Sequence, residues 1–176
     1  MGSSENLTVV LRAATRDDLD RIMALERRAD MQAFIFESSC TTHMEALTNP
    51  DFSYLVIETN TPLEPTWAGF CILSDLSSGS SKVTLKRLAL EQAGHGVGTL
   101  AVKAIQRHVF KTLGKHRLAL DCYADNGRAV RLYEKTGFQR EGVLREASVK
   151  RDGRRMSLIL FSMLKHEYDA NHQDLT

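Results

Sequence analysis

Asn126-Gly127-Arg128-Ala129-Val130-Arg131-Leu132-Tyr133-Glu134-Lys135-Thr136-Gly137-Phe138 is the stretch on which the reading of the fold turns. An asparagine side chain accepts from first-turn N–H groups, so Asn126 opens a helix. A glycine tolerates the left-handed conformation that ends one, so Gly137 closes it. Ala129, Val130, Leu132 and Tyr133 lie at helical spacing between them, and Phe138 begins a following core segment. Working upstream, residues 116–122 (HRLALDC) read as a strand, and residues 99–113 as a strongly amphipathic helix capped by Gly114. Residues 82–90 (KVTLKRLAL) form another strand, and a glycine-rich loop separates it from that helix.

Farther out, residues 7–13 (LTVVLRA) are a first strand. Thr15 caps a helix reaching about residue 29, with Asp17 and Asp18 in its first turn, where the helix dipole favours anions. Residues 31–39 are aromatic and lack periodicity, which reads as a loop, and a short helix starts at Thr41 or Thr42 and stops at Asn49-Pro50. Strands at 52–58 and 67–73 flank a proline-bearing turn and form a hairpin. Strands at 138–145 and 155–164 join through Asp152-Gly153. The order β-α-α-β-β-β-α-β-α-β-β is that of an α/β domain with mixed pairing. The chain of 176 residues is one domain over residues 7–168, with flexible termini expected at 1–6 and 169–176.

Composition narrows the classes. Apolar residues make up 43% and charged residues 26%, which suits a packed globular chain. A net charge of +1 argues against a strong non-specific grip on nucleic acid. The basic run Lys150, Arg151, Arg154 and Arg155 brackets an Asp-Gly turn without interleaved aromatics, and a solvated turn explains it better than a nucleic-acid contact. No apolar run approaches the roughly 20 residues that span a bilayer. Cys40, Cys71 and Cys122 match neither a disulfide framework nor a metal pattern, so no metal is expected and a reducing, cytoplasmic setting fits.

The loop Ala93-Gly94-His95-Gly96-Val97-Gly98 sits where a strand runs into a helix. First-turn N–H groups lack partners and carry partial positive charge, and glycines let backbone approach a phosphate closely, so a pyrophosphate is the natural guest. A tight corner is the plain alternative for the loop alone. It is not a P-loop, because Gly98 is followed by Thr99-Leu100 rather than Lys-Ser or Lys-Thr. Its GxGxG spacing also differs from the dinucleotide fingerprint.

Taken together, N-x-x-A-x-x-L-Y-x-x-x-G-F at 126–138 and the loop at 93–98 resemble the two halves of the cofactor site in the GNAT acetyltransferase superfamily. The resemblance extends from about residue 7 to 168. The tail from residue 141 is similar to the branch holding ribosomal-protein N-terminal and polyamine acetyltransferases. One departure stands out: the position usually held by Gln or Arg is Ala93, with Gln92 one residue early. The resemblance implies a mixed, mostly antiparallel central sheet flanked by helices. It also implies acetyl-CoA as cosubstrate and a primary amine as acceptor: a small amine, an amino sugar or a protein N-terminus. By the same resemblance, the backbone of Leu88, Ala89 and Leu90 pairs with the pantetheine arm and the loop from Ala93 to Gly98 holds the pyrophosphate. Asn126 then bonds the pantetheine chain, and Tyr133 serves the leaving thiolate.

Each of these residues has a plainer reading. Tyr133 at helical spacing is also what a core aromatic looks like, and Asn126 is also an N-cap. The proton acceptor is left open among Glu37, His43, Glu45, Glu58 and a water chain. Glu37 is preferred because its aromatic loop is expected to line the acceptor side. A non-catalytic acyl-CoA-binding sensor is the alternative function. Pairing of an exposed sheet edge and the last strand, 155–164, into a homodimer is a further expectation.

Overall fold

The computed structural model describes residues 7–60, 65–92, 94 and 96–172. Its strands are β1 (Thr8–Ala13), β2 (Ser53–Asn60), β3 (Pro65–Ser74), β4 (Lys82–Leu90), β5 (Arg117–Tyr123), β6 (Gln139–Val149) and β7 (Arg155–Leu164). Its helices are α1 (Leu19–Glu26), α2 (Ala29–Gln32), α3 (Cys40–Thr48), α4 (Val97–Arg107), α5 (Gly127–Lys135) and α6 (Lys165–Ala170).

The seven strands form one sheet in the order β1-β2-β3-β4-β5-β7-β6. Every pairing is antiparallel except β4 with β5. That parallel pair is short: only Lys82, Val83 and Thr84 meet Arg117, Leu118 and Ala119. Beyond Thr84 the two strands part. A bulge lies at the same place, where Leu85 pairs with Leu73 and Arg87 with Ile72, so that Lys86 has no partner on β3. An extra residue of this kind bends a strand and reverses which face its side chains take. Val83 and Leu85 join the core on one face of the sheet, as does Leu90 after the bulge, whereas Ala89 joins the core on the other.

Those two cores hold the helices in place. Ala101, Val102 and Ile105 of α4 and Tyr133 of α5 pack with Leu55, Ile57, Leu73, Leu118 and Leu120 on one face. Leu19, Ile22, Met23 and Leu25 of α1 pack with Tyr54, Val56, Phe70 and Ile72 on the other. The alternation of 54/56 with 55/57 along β2 is the period-two pattern of a strand buried on both sides.

Several boundaries differ from the sequence reading. The amphipathic helix expected over 99–113 starts at Val97, and its last turn, His108–Thr112, widens to π geometry. Gly114 ends it at φ 62°, as a C-terminal glycine should. Part of the loop expected over 31–39 is helical, in α2. The tail expected to be loose from residue 169 begins inside α6, where Asp169 accepts from Lys111 at 2.7 Å. Residues 1–6 fall outside the described part.

Candidate active site

A cleft of about 650 Å³ opens where β4 and β5 separate. Its walls come from Leu85 to Leu88 and Leu90 of β4, from Asp121, Cys122 and Tyr123 of β5, and from the start of α5 at Asn126 to Ala129. Leu132 and Tyr133 follow from α5, and the aromatic segment after α1 contributes Met31, Phe34, Ile35 and Phe36. Parting the strands creates this space: each loses its neighbour along one edge and leaves backbone groups that a bound chain can use.

Of the residues singled out from sequence, Leu88, Leu90, Asn126 and Tyr133 meet in this cleft, whereas Ala89 is turned into the α1 core. The Asn126 side chain caps α5, its Oδ1 accepting from Ala129 N at 3.1 Å. Its amide nitrogen has no protein partner among the described residues, so the cap and ligand roles are compatible. Tyr133 is buried, with its ring packed edge-on against Phe138 and tilted over Phe161. Its hydroxyl has no hydrogen bond to any described residue, although the ring lines the cleft. Burial, reinforced by Cys122 and Asp121 nearby, pushes the phenol pKa well up, so the group remains a proton donor across the working pH range.

The glycine loop leads into α4. Gly94 and Gly96 have φ of 102° and 79°, and an added Cβ at either would meet open space. Their glycine requirement is therefore conformational, not steric. Gly96 is the N-cap of α4 and supplies no side-chain cap; Val97 N–H turns back to the Gly94 carbonyl at 3.4 Å, and the first-turn N–H groups of Gly98 and Thr99, without a partner among the described residues, are left for an anion. Gly98 packs beside Leu90 and Leu132, which ties the helix start to the cleft wall. Ala93 and His95 lie outside the described residues.

None of the four residues considered as proton acceptor is on the cleft wall. Glu37 is bound at 2.7 Å by Arg27 and at 3.2 Å by Arg151. These two arginines hold its carboxyl below the usual value, the reverse of what a base needs. Glu58 is paired with Arg12 at 2.7 Å, Glu45 is exposed on α3, and His43 is completely buried.

A different acid occupies the place. Asp121 reaches solvent through the cleft, and enough protein surrounds it that desolvation pushes its carboxyl above the usual aspartate value. It has no ion pair or hydrogen bond to any described residue. The sequence carried a signal for it: Asp121 is the one acid in the strand HRLALDC, five residues before Asn126.

A second feature went unseen in the sequence. Glu26, in line with the apolar face of α1, is fully buried. It receives Arg87 of β4, Ser38 N at 3.1 Å and His43 Nε2 at 3.3 Å, and His43 Nδ1 in turn lies 3.1 Å from the Tyr54 hydroxyl. Burial alone would raise the Glu26 carboxyl, but the bond with His43 and the charge of Arg87 outweigh it and hold the carboxyl below its usual value. This network pins the end of the aromatic loop to β4, which fixes the wall that the loop gives the cleft.

The described residues contain no His, Cys, Asp and Glu grouping that could hold a metal ion. No described helix is long and apolar enough to cross a membrane.

Comparison with known proteins agrees with this architecture. The family model for the acetyltransferase (GNAT) domain matches residues 8–139. A curated Bacillus licheniformis protein, named as the uncharacterized N-acetyltransferase p20, is 29% identical over 117 residues. That match covers 66% of this chain and 63% of the relative's own length. Among solved structures, spermidine N-acetyltransferase from Vibrio cholerae, in complex with CoA and spermine, superposes with a TM-score of 0.81 at 22% identity. That superposition covers 92% of this chain and 98% of that one. A chimeric form of the Vibrio enzyme gives a TM-score of 0.80 at 22% identity, covering 92% and 98% of the two chains.

Proposed function

The chain belongs to the acetyltransferase (GNAT) domain family, and from that premise we propose that it transfers the acetyl group of acetyl-CoA to the nitrogen of an amine. One observation carries the reading: an acid of raised pKa and a tyrosine hydroxyl with no hydrogen-bond partner among the described residues share the cleft that opens between β4 and β5. The Vibrio neighbour of the same fold is named as bound to CoA and spermine.

The residues fit such a cosubstrate. The uncapped start of α4, with Gly94 and Gly96 at positive φ, offers N–H groups to a pyrophosphate. The freed edge of β4 beyond Thr84 offers backbone groups to an extended amide chain, and Asn126 offers its side-chain NH₂. Acetyl-CoA supplies the thioester carbonyl: the amine nitrogen bonds to its carbon, the C–S bond breaks, and CoA leaves as the thiol.

The protein's tasks are proton transfer and charge stabilisation. An amine arrives as an ammonium. Asp121 takes its proton, and the raised pKa brings the carboxylate nearer to that task. Backbone N–H groups around the Lys86 bulge stabilise negative charge developing on the carbonyl oxygen. Tyr133 donates to the departing sulfur. A free thiol titrates near 8.5, so this help is useful but modest. Glu37 has no part in this scheme, because its two arginines keep it occupied. A non-catalytic acyl-CoA sensor is less well supported, since it has no use for an acid and a tyrosine hydroxyl, both without hydrogen-bond partners among the described residues, in one cleft.

The exposed, unpaired Cys40 supports a reducing setting, the cytoplasm. The last strand, β7, is paired on both sides and has no edge to offer a second copy, so a homodimer through the outer strand β6 belongs to the same proposal, supported by Val143, Leu144 and Val149 exposed on that edge.

The test is calorimetric titration with acetyl-CoA, followed by thiol-release kinetics over a set of primary amines, on the native protein and on Tyr133→Phe. Both proteins should bind acetyl-CoA in the micromolar range, about 8 kcal/mol. The variant should lose roughly tenfold to a hundredfold in kcat with little change in acetyl-CoA affinity. Absence of acetyl-CoA binding by the native protein would remove the proposal.

A further inference from the structure

Lys150 follows the last residue of β6, in the turn to β7, where a lysine ordinarily extends into water. Here its side chain is only 13% exposed. Its ammonium lies 5.4 Å from the ring centre of Phe34 and 5.1 Å from that of Tyr123, and Nζ is 3.0 Å from Asp125 Oδ2. Ser148 Oγ, 3.0 Å from the Tyr123 hydroxyl, steadies one of the two rings. Phe34, Tyr123, Asp125 and Ser148 all line the cleft that holds Asp121 and Tyr133.

Two aromatic faces and a carboxylate around one point are the groups that bind an ammonium: the rings present their negative quadrupole and the carboxylate neutralises the charge. The protein has built such a box in its own acceptor cleft and filled it with its own lysine. The remaining charges of the cleft agree. Three carboxylates line it, from Asp30, Asp121 and Asp125. Asp30 is paired with Arg28 at 2.8 Å and Asp125 with Lys150, which leaves Asp121 as the one lining carboxylate without an ion pair among the described residues. Lys86, Arg87 and Arg128 add positive charge to the same walls. One free carboxylate suits one ammonium, and the apolar wall of Met31, Ile35 and Phe36 suits an apolar body attached to it.

We propose that Lys150 is a specificity-determining residue: by occupying the Phe34–Tyr123–Asp125 box it restricts the acceptor to a monoamine with an apolar body and excludes amines carrying a second cationic group. This rests on the acetyl-transfer reading above for its catalytic consequence, but not for the existence of the box. Emptying the box should admit the second ammonium of a polyamine, and restoring a cation should shut it out again.

The experiment compares 2-phenylethylamine with spermidine on the native protein, Lys150→Met and Lys150→Arg, with thermal melts to establish that each is folded. The native protein and Lys150→Arg should favour the monoamine in kcat/KM by about tenfold or more, and Lys150→Met should shift that ratio toward spermidine by about tenfold. A parallel calorimetric titration with spermidine omits acetyl-CoA. There Lys150→Met should bind about tenfold more tightly than the native protein, and adding Phe34→Ala should remove the gain. Equal use of the two amines by the native protein overturns the proposal, as does a Lys150→Met variant whose spermidine affinity is unchanged. If no amine is acetylated by any form but the calorimetric gain appears, the acetyl-transfer reading fails and the box stands.

Discussion

Asp121→Asn separates proton transfer from folding, because the two effects have opposite signs. The amide keeps the shape of the side chain but cannot take a proton from the acceptor. Removing a general base costs about 10²- to 10⁴-fold in rate, or roughly 2.7–5.5 kcal/mol at 1.36 kcal/mol per decade. The stability effect follows from the environment of the carboxyl. Asp121 has no cation and no hydrogen-bond donor among the described residues to offset its partial desolvation, and its folded pKa is raised by burial. Above that folded value the ionised carboxylate is less comfortable in the folded protein than in the unfolded chain, so at neutral pH it subtracts from stability. The penalty fades as pH falls through the raised folded value and is gone below the unfolded one. Asparagine carries no such penalty. The variant should therefore melt at or above the native temperature at neutral pH, and the difference should vanish in acid. Thiol-release kinetics over roughly pH 6 to 9, with melts of both proteins across the acid range, read both effects. A variant within about threefold of native kcat/KM on the same amine would refute the role of Asp121. One that loses activity and also melts several degrees lower would show that the carboxylate is structural.

Two further perturbations probe the supports of the cleft. Glu26→Ala leaves Arg87, His43 and Ser38 N without their buried partner, which costs about 3–5 kcal/mol and should lower the melting temperature by roughly 6–20 °C for a chain of this size. Because the folded pKa of Glu26 lies below its usual value of 4.5, this stabilisation is complete above the unfolded pKa and disappears as pH falls through the folded one. The native and variant melting curves should therefore converge in acid. Gly69→Ala places a Cβ 2.1 Å from the Ala89 carbonyl oxygen, at a φ of 151°. Clash and backbone strain together should cost about 3 kcal/mol or more, which is measurable by urea unfolding. Unchanged stability there would contradict the close approach of β3 to β4.

How far the fold can be read without coordinates depends on the range of the interaction concerned. The Asn126 cap, the Gly137 stop and the apolar face between them are local, and α5 follows from them almost residue for residue. Likewise β4 coincides with the expected strand at 82–90, because the apolar residues Val83, Leu85, Leu88 and Leu90 and the glycine-rich loop that bounds them are short-range signals, even though the bulge at Lys86 breaks the alternation midway. The last turn of α4 is less legible: the widening at His108–Thr112 inserts an extra residue per turn that no local propensity announces.

The chemistry of the cleft belongs to the longer range. Seen as sequence, Asp121 is a polar residue in an alternating strand, the commonest thing for an outward-facing position to be. It becomes a partly desolvated acid on a cleft wall only because β4 bulges at Lys86 and parts from β5, turning what would have been a sheet surface into that wall. Glu37 illustrates the converse. Its loop does line the cleft, through Met31, Phe34, Ile35 and Phe36, but Arg151, 114 residues away, joins Arg27 in holding its carboxylate. Lys150 likewise reads as one charge in a solvated basic turn until folding brings Phe34 and Tyr123 to either side of it. Sequence alone determined the seven strands, the longer helices, their order and the family signature in the glycine loop and the 126–138 helix, though not the short helices α2 and α6, because hydrogen bonding and side-chain periodicity act within a few residues. Only the tertiary structure decided which cleft carboxylate lacks an ion pair among the described residues and which aromatic rings enclose Lys150, because charge pairing and desolvation act through space between residues far apart along the chain.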